Sequence, residues 1–222
     1  MCGRFTLAIE GSELEVEFEG IQVPPTYAAR YNIAPSQPVL AITNAVPTAA
    51  DFLVWGLIPN WAKDPSIGSR LINARGETLA EKPAFRSSYK YKRCLIPADG
   101  FYEWKALAGT RLKVPHYIRL ANSKPFALAG LWSEWRSGDG SEVRTCSIVT
   151  TSPNALIASI HNRMPVILDR SARAAWLDPS PREPHQLADL LTPYPAEEMI
   201  AYAVSKRVNS PANDDAECIR AA

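Results

Sequence analysis

The strongest constraint on this chain is a series of short apolar runs between residues 38 and 151, each stopped by proline, glycine, asparagine or aspartate. They read "PVLAIT" (38–43), "DFLVWGLIP" (51–59), "RCLIPADGFYEWK" (93–105), "VPHYIRL" (114–120), "PFALAGLW" (125–132) and "EVRTCSIVTT" (142–151). Their β-branched and aromatic content predicts strands. Nineteen prolines are scattered along the 222 residues. A proline neither extends a helix nor donates to an interior ladder, so the elements must be short. Helical periodicity is weaker and falls on 12–20, 75–85, 152–161, 171–177 and 184–191. Ser152 is available as an N-cap with Pro153 at the first helical position. The stretch "DPSPREPHQ" (178–186) reads as a surface loop. The expected fold class is α+β: a single domain over 1–222 with a curved, mostly antiparallel sheet and peripheral helices.

Composition narrows the function classes. An apolar fraction of 46% and a charged fraction of 21% are those of a soluble globular protein. No segment approaches the roughly 20 apolar residues of a membrane span, so no membrane partner is expected. Glu10, Glu13, Glu15, Glu17 and Glu19 come too early for a signal peptide, and the expected location is cytoplasmic. A net charge of +1 gives no all-over basic surface. Any nucleic-acid site must therefore be a local patch. Cys2, Cys94, Cys146 and Cys218 stand far apart, without C-x-x-C pairs or nearby histidines. Free thiols are expected, with neither a metal nor a cofactor.

The chain opens "MCGRF". A cysteine beside the initiator methionine is usually frayed and open to oxidation. Methionine is normally trimmed before a small residue, which would leave Cys2 with a free α-amine next to its thiol. The α-amine titrates near 7.7–8.0 and a thiol near 8.5, so each has a nucleophilic fraction at neutral pH. Such a 1,2-aminothiol condenses with an aldehyde to an imine and closes a thiazolidine. The same pair can also attack an amide, with the amine as base.

Three further stretches carry candidate chemistry. In "LINARGET", Asn73 is either a turn residue or a hydrogen-bond partner for substrate, and Arg75 either a surface cation or a phosphate fork. In "PADGFYEWK", alternation turns Glu103 to the face opposite Tyr102 and Trp104. That face is either solvent or a cleft, where desolvation would raise its pKa toward general acid–base use. In "IHNRMP", His161 either caps a helix C-terminus or shuttles protons.

Taken together and in order, "MCGRF", "RYNIAP" (30–35), "WGLIPNW" (55–61), "INARGET" (72–78), "PADGFYEWK" (97–105), "IVTTSPN" (148–154) and "IHNRMPVIL" (160–168) resemble the SOS response-associated peptidase family. The resemblance runs from residue 2 to about residue 209 and is loose over 8–29 and 178–200. It implies a β-barrel-like core. It also implies that Cys2, once Met1 is removed, captures the aldehyde of an abasic deoxyribose in single-stranded DNA as a thiazolidine, with associated lyase and autopeptidase activity. Asn73 would orient the sugar or the Cys2 amine. Glu103 would promote ring opening and carry protons, and His161 would assist protonation and reversal. Arg4, Arg75 and Arg163 would hold phosphates, while Trp104 and Thr150 would shape the DNA channel. Nothing in the sequence demands more than a monomer, and the expected location when on DNA is the nucleoid.

The segment "FRSSYKYKRC" (85–94), with Arg86, Lys90, Lys92 and Arg93, either extends the phosphate patch or is a solvated loop. Two rival functions stand beside this reading. One is an N-terminal-cysteine amidase of glutamine amidotransferase type; such domains continue with Ile-Val where this chain has Arg4-Phe5. The other is a passive single-strand binder in which Cys2 is incidental.

Overall fold

The computed structural model describes residues 2–222. Its strands are β1 (Phe5–Leu7), β2 (Arg30–Ile33), β3 (Pro38–Thr43), β4 (Ala50–Trp55), β5 (Asn73–Arg75), β6 (Arg93–Ala98), β7 (Gly100–Ala106), β8 (Lys113–Leu120), β9 (Phe126–Arg136), β10 (Glu142–Thr151), β11 (Met164–Pro165), β12 (Ile167–Leu168) and β13 (Met199–Ala203). Strand β10 pairs with β4, β4 with β3, β3 with β6, β6 with β9, and β9 with β10 again. The ring closes on itself as a five-stranded barrel, which removes its sheet edges. Only β4 and the short β5 run parallel to β10, and the other pairings are antiparallel. A second sheet, ordered β13-β8-β7-β1-β2, lies against the barrel. The two sheets share one buried core, in which the rings of Phe5 and Trp55 meet edge to face at 5.3 Å.

The helices are short and peripheral: α1 (Gly11–Glu17), α2 (Arg86–Tyr91), α3 (Ala155–Ala158), α4 (Arg170–Leu177) and α5 (Pro184–Leu187). Four of the expected helical segments contain helix, with shifted boundaries. Asn154, not Ser152, caps α3 by accepting from the Ile157 amide, and Asp169 caps α4 by accepting from the Ala172 amide. The fifth, 75–85, holds only the end of β5 and a single 3-10 turn over Gly76–Thr78. Pairing with β10 wins there over local helical preference.

The segment 85–94 is not a solvated basic loop. Helix α2 lies within it, and Arg93 is fully buried. The Arg93 guanidinium donates to the carbonyls of Trp176 (2.8 Å), Tyr89 (3.0 Å), Lys90 (2.7 Å), Asp178 (2.5 Å) and Ser180 (3.2 Å). Lys90 pairs with Glu183, and Lys92 sits 4.7 Å from the ring centre of Trp132. Only Arg86 of this group is exposed.

Two glycines are required by geometry. Gly100 begins β7 beneath Tyr117, and a Cβ there would stand 2.2 Å from the tyrosine ring and hydroxyl. Gly56, after β4, has φ +137° and approaches the Gly68 carbonyl closely. Among the described residues no helix is long and apolar enough to cross a membrane.

Candidate functional site

The start of the chain is drawn inward by pairing. In the β1–β7 register Phe5 faces Phe101 and Thr6 faces Gly100, and the Tyr102 amide donates to the Arg4 carbonyl at 3.0 Å. Continued outward, this register lays residues 2–4 alongside 102–104. Asp99 fixes it from the other end. Its carboxylate accepts from the Thr6 hydroxyl at 2.5 Å and from the Ala8 amide at 3.0 Å. Cys2 therefore does not fray. Its side chain is 0% exposed, with the thiol 4.0 Å from the Arg4 carbonyl oxygen. Met1 lies outside the described residues.

Asn73 arrives from the barrel side. Strand β5 pairs with β10, with Asn73 opposite Ile148, and the indole of buried Trp55 holds the preceding residue by donating to the Ile72 carbonyl at 2.8 Å. From there the Asn73 Nδ2 donates to the Cys2 carbonyl at 2.8 Å. Its Oδ1 is buried and has no hydrogen-bond partner among the described residues. A buried acceptor left open beside a nucleophile is a place for a donor to arrive.

Glu103 is turned inward. Alternation on β7 puts Phe101 and Glu103 on one face and Tyr102 and Trp104 on the other. The second face is covered by the C-terminal segment through Val204, Val208 and Ile219. The first faces the barrel, and Glu103 is only 2% exposed. Its register neighbour is His116 on β8. Burial pushes the Glu103 carboxyl above the ordinary glutamate range. His161, just past α3, brings Nε2 to 3.9 Å from Glu103 Oε2. Burial lowers the His161 pKa, which favours a neutral ring. The Cys2 thiol is pushed well above its usual range, first by burial and then by the Glu103 charge. A thiol so held is protonated at neutral pH, so its attack requires a neighbour to accept the proton.

The remaining residues expected at the site are distributed unevenly. Thr150 is fully buried on β10, opposite Arg75 of β5 in one direction and Pro165 of β11 in the other. Arg75 is exposed, and its guanidinium has no hydrogen-bond or ion-pair partner among the described residues, while its backbone belongs to the β5–β10 ladder. Arg163 is committed: its fork meets both Glu77 carboxylate oxygens, at 2.6 and 2.9 Å, and one nitrogen donates to the Thr150 carbonyl at 2.7 Å. Arg4 is committed too, donating to Asn32 Oδ1 (2.8 Å) and to the carbonyls of Val208 (2.7 Å) and Asn209 (3.2 Å). Trp104 is half-buried and its indole donates to Asn209 Oδ1 at 2.8 Å.

Sequence reasoning missed the residues that hold the C-terminal segment against this site. Asn32 Nδ2 donates to the carbonyls of Val208, Ser210 and Asn213, and the Asp214 carboxylate accepts from the Tyr31 and Asn32 amides and from Arg30. The one available signal was the polar Asn32 inside the otherwise strand-like "RYNIAP". Among the described residues no group of three or more His, Cys, Asp or Glu side chains is arranged to hold a metal ion.

Comparison with known proteins agrees with this architecture. The family model described as SOS response associated peptidase (SRAP) matches residues 1–211. The chain is 49% identical over 222 residues to abasic site processing protein YoqW of Bacillus subtilis (strain 168), covering 99% of each chain. It is 32% identical to abasic site processing protein HMCES of Gallus gallus, over 99% of this chain and 77% of that protein. A crystal structure of a protein from Bacteroides thetaiotaomicron matches the fold with a TM-score of 0.89 at 28% identity, covering 100% of each chain. With the family model spanning nearly the whole chain, and a relative close to half identical along its full length, this protein belongs to the SOS response associated peptidase family.

Proposed function

We propose that this protein senses abasic sites in single-stranded DNA and captures them covalently through Cys2. The observation that carries the reading is the junction of a buried Cys2, anchored by Asn73 at its carbonyl, with the inward-facing Glu103–His161 pair. The relatives' names, abasic site processing proteins, point to the same substrate.

The chemistry begins with loss of Met1. The Cys2 thiol attacks the Met1 carbonyl carbon, the acyl group passes from nitrogen to sulfur, and water cleaves the thioester. Methionine leaves and an α-amine is freed on Cys2. That amine then adds to the C1′ aldehyde of the ring-opened abasic sugar. Water departs from the carbinolamine with a proton from neutral Glu103, leaving an iminium ion and the Glu103 carboxylate. The Cys2 thiol next adds to the iminium carbon: a C1′–S bond forms, the thiol proton passes to the Glu103 carboxylate, and the carbon–nitrogen π electrons return to the nitrogen, which already carries its proton. The product is a thiazolidine, with one water lost overall. The same iminium ion acidifies the C2′ proton, which accounts for β-elimination as an accompanying lyase activity. Proton transfer of this kind contributes about 10²–10⁴-fold to rate.

In this reading the Asn73 Oδ1 accepts from the Cys2 amine or a sugar hydroxyl, and His161 supplies protons for closure and reversal. Phosphate contacts carry the affinity, because the missing base leaves little sequence to read. Arg75 serves directly. Arg4 and Arg163 would each have to exchange a present partner, and Trp104 and Thr150 shape the channel wall. The working form is a monomer whose fold is a single unit, located in the cytoplasm and on the nucleoid when engaged.

The test is covalent capture on a denaturing gel. A single-stranded oligonucleotide with one abasic site is compared with the same strand carrying a tetrahydrofuran analogue, which cannot open to an aldehyde. Capture of the first alone supports the proposal; capture of neither, or of both equally, overturns it.

A further inference from the structure

Strands β7 and β8 are joined by a hairpin that carries positive charge and nothing to balance it. From Trp104 to Ser133 the chain has five lysines and arginines and no aspartate or glutamate. Three of them, Lys105, Arg111 and Lys113, sit on the hairpin itself. Arg111 and Lys113 are exposed and Lys105 is half-buried. None of the three side chains has a hydrogen-bond or ion-pair partner among the described residues. Cations elsewhere are commonly paired, as Arg30 is with Asp214, Arg144 with Asp51 and Arg207 with Asp215. A net charge of +1 over the whole chain therefore conceals three uncompensated cations on one arm.

The arm is held by its own hydrogen bonds, and it borders the site. At its tip Gly109 takes φ +74°, and the Thr110 amide and hydroxyl each donate to the Leu107 carbonyl at 3.1 Å. The Leu107 amide in turn donates to the Leu112 carbonyl at 3.1 Å. Below the tip, Lys105 stands in register with Val114 and Ala106 with Lys113. Lys105 follows Glu103 by two positions, so alternation puts both on the face that looks toward the barrel. Lys113 is near enough that its charge acts on both Glu103 and His161. On the barrel side Arg75 follows Asn73 by two positions, with its guanidinium likewise uncommitted. Free cations thus stand on both walls of the Cys2 site.

We propose that the β7–β8 hairpin is a phosphate-binding arm, on which Lys105, Arg111 and Lys113 hold the backbone of single-stranded DNA beside the lesion. Phosphodiesters are the ligand class for two reasons. They set negative charges in a row, which suits cations spaced along an arm, and the captured strand must pass the Cys2 site that this arm borders. A phosphate reaching these three side chains breaks no existing pair, whereas at Arg4 or Arg163 it must displace a partner. The inference rests on the reading that single-stranded DNA is the substrate.

The experiment uses the full-length protein and the unreactive tetrahydrofuran oligonucleotide, so that binding is read without the covalent step. Affinity is measured between about 50 and 200 mM salt. Wild type is compared with the hairpin variant Lys105→Gln/Arg111→Gln/Lys113→Gln. A control, Lys124→Gln/Arg136→Gln/Arg170→Gln, loses the same charge from exposed positions elsewhere. Each phosphate contact on a single strand adds about 0.7 to the slope of log affinity against log salt. The hairpin variant should therefore show a slope shallower by about 2 and bind on the order of tenfold more weakly at low salt. The control should keep the wild-type slope and bind within about twofold, because charges far from the strand are screened. Lys105→Arg/Lys113→Arg, which keeps the charge, should also bind within about twofold of wild type. Wild-type affinity and slope in the hairpin variant would overturn the proposal. An equal loss in the control would overturn it as well, since net charge alone would then be at work. If wild type captures no abasic strand, the functional reading fails by itself, and the salt slopes still decide whether the arm holds the DNA backbone.

Discussion

Asn73 and Cys2, 71 positions apart in sequence, are joined by a 2.8 Å hydrogen bond from the Asn73 side-chain amide to the Cys2 carbonyl. It fastens the start of the chain to a strand that is itself an addition to the barrel wall through β10. The bond restrains the backbone atom next to the reacting amine and thiol, so its loss should be felt as misplacement. Asn73→Ala is expected to slow cross-linking about 100-fold while affinity for an unreactive single strand stays within about twofold. Asn73→Asp should be slower still, because an ionised carboxylate would face the Cys2 carbonyl with no donor. Single-turnover rates alongside binding titrations separate the two effects.

Glu103 gives the site its pH dependence. Burial raises its pKa, so the proton-donating form persists to higher pH than on an exposed glutamate and is lost as pH rises through the raised value. The α-amine imposes the opposite limb, losing its nucleophilic form as pH falls below about 7.7–8.0. Cross-linking rate should therefore pass through a maximum with pH. Glu103→Gln is expected to lower the maximum by about 10²–10⁴-fold and to abolish the limb that falls toward alkaline pH. A rate profile from acid to alkaline conditions for both proteins checks this.

Strand content was legible because β-branched and aromatic runs ended at turn residues: β3, β6 and β10 fall within those runs, β4, β7 and β8 pass them by one residue, and β9 runs on to Arg136. Closure of five of them into a barrel was not, since it depends on β10 meeting both β4 and β9 at long range. Alternation correctly set Glu103 opposite Tyr102 and Trp104, yet it could not say which face was covered. That was decided by the C-terminal segment, held by Asn32 and Asp214, lying over Tyr102 and leaving Glu103 to face the barrel. Local charge misled at Arg93, where a cluster of cations suggested a surface and the carbonyls of α2 and of the α4 C-terminus instead enclose the guanidinium.

That enclosure makes Arg93 a stability residue. Arg93→Ala removes a charged donor from several buried carbonyls at once, and each such hydrogen bond is worth about 1.5–3 kcal/mol. A loss of at least about 3 kcal/mol in urea unfolding is expected on that basis. Exposed Arg86→Ala should change stability by less than about 0.5 kcal/mol.

Gly100 tests the seating of β7. A methyl group there would overlap the Tyr117 ring, and Tyr117 is itself held by the Thr6 hydroxyl beside Asp99. Gly100→Ala should cost about 1–3 kcal/mol of stability through overpacking, read from chemical unfolding. Because Thr6 lies on the strand that carries Cys2 inward, cross-linking should slow in the same variant.

The central claim is that Cys2 itself becomes the bond to DNA. Intact-protein mass spectrometry after incubation with a single-stranded oligonucleotide bearing one abasic site addresses it directly, with wild type and Cys2→Ala side by side. On protein whose mass shows that Met1 is gone, wild type should gain the mass of the oligonucleotide less one water, and Cys2→Ala should gain nothing. No adduct on wild type beginning at Cys2, or an equal adduct on the alanine variant, would contradict the account.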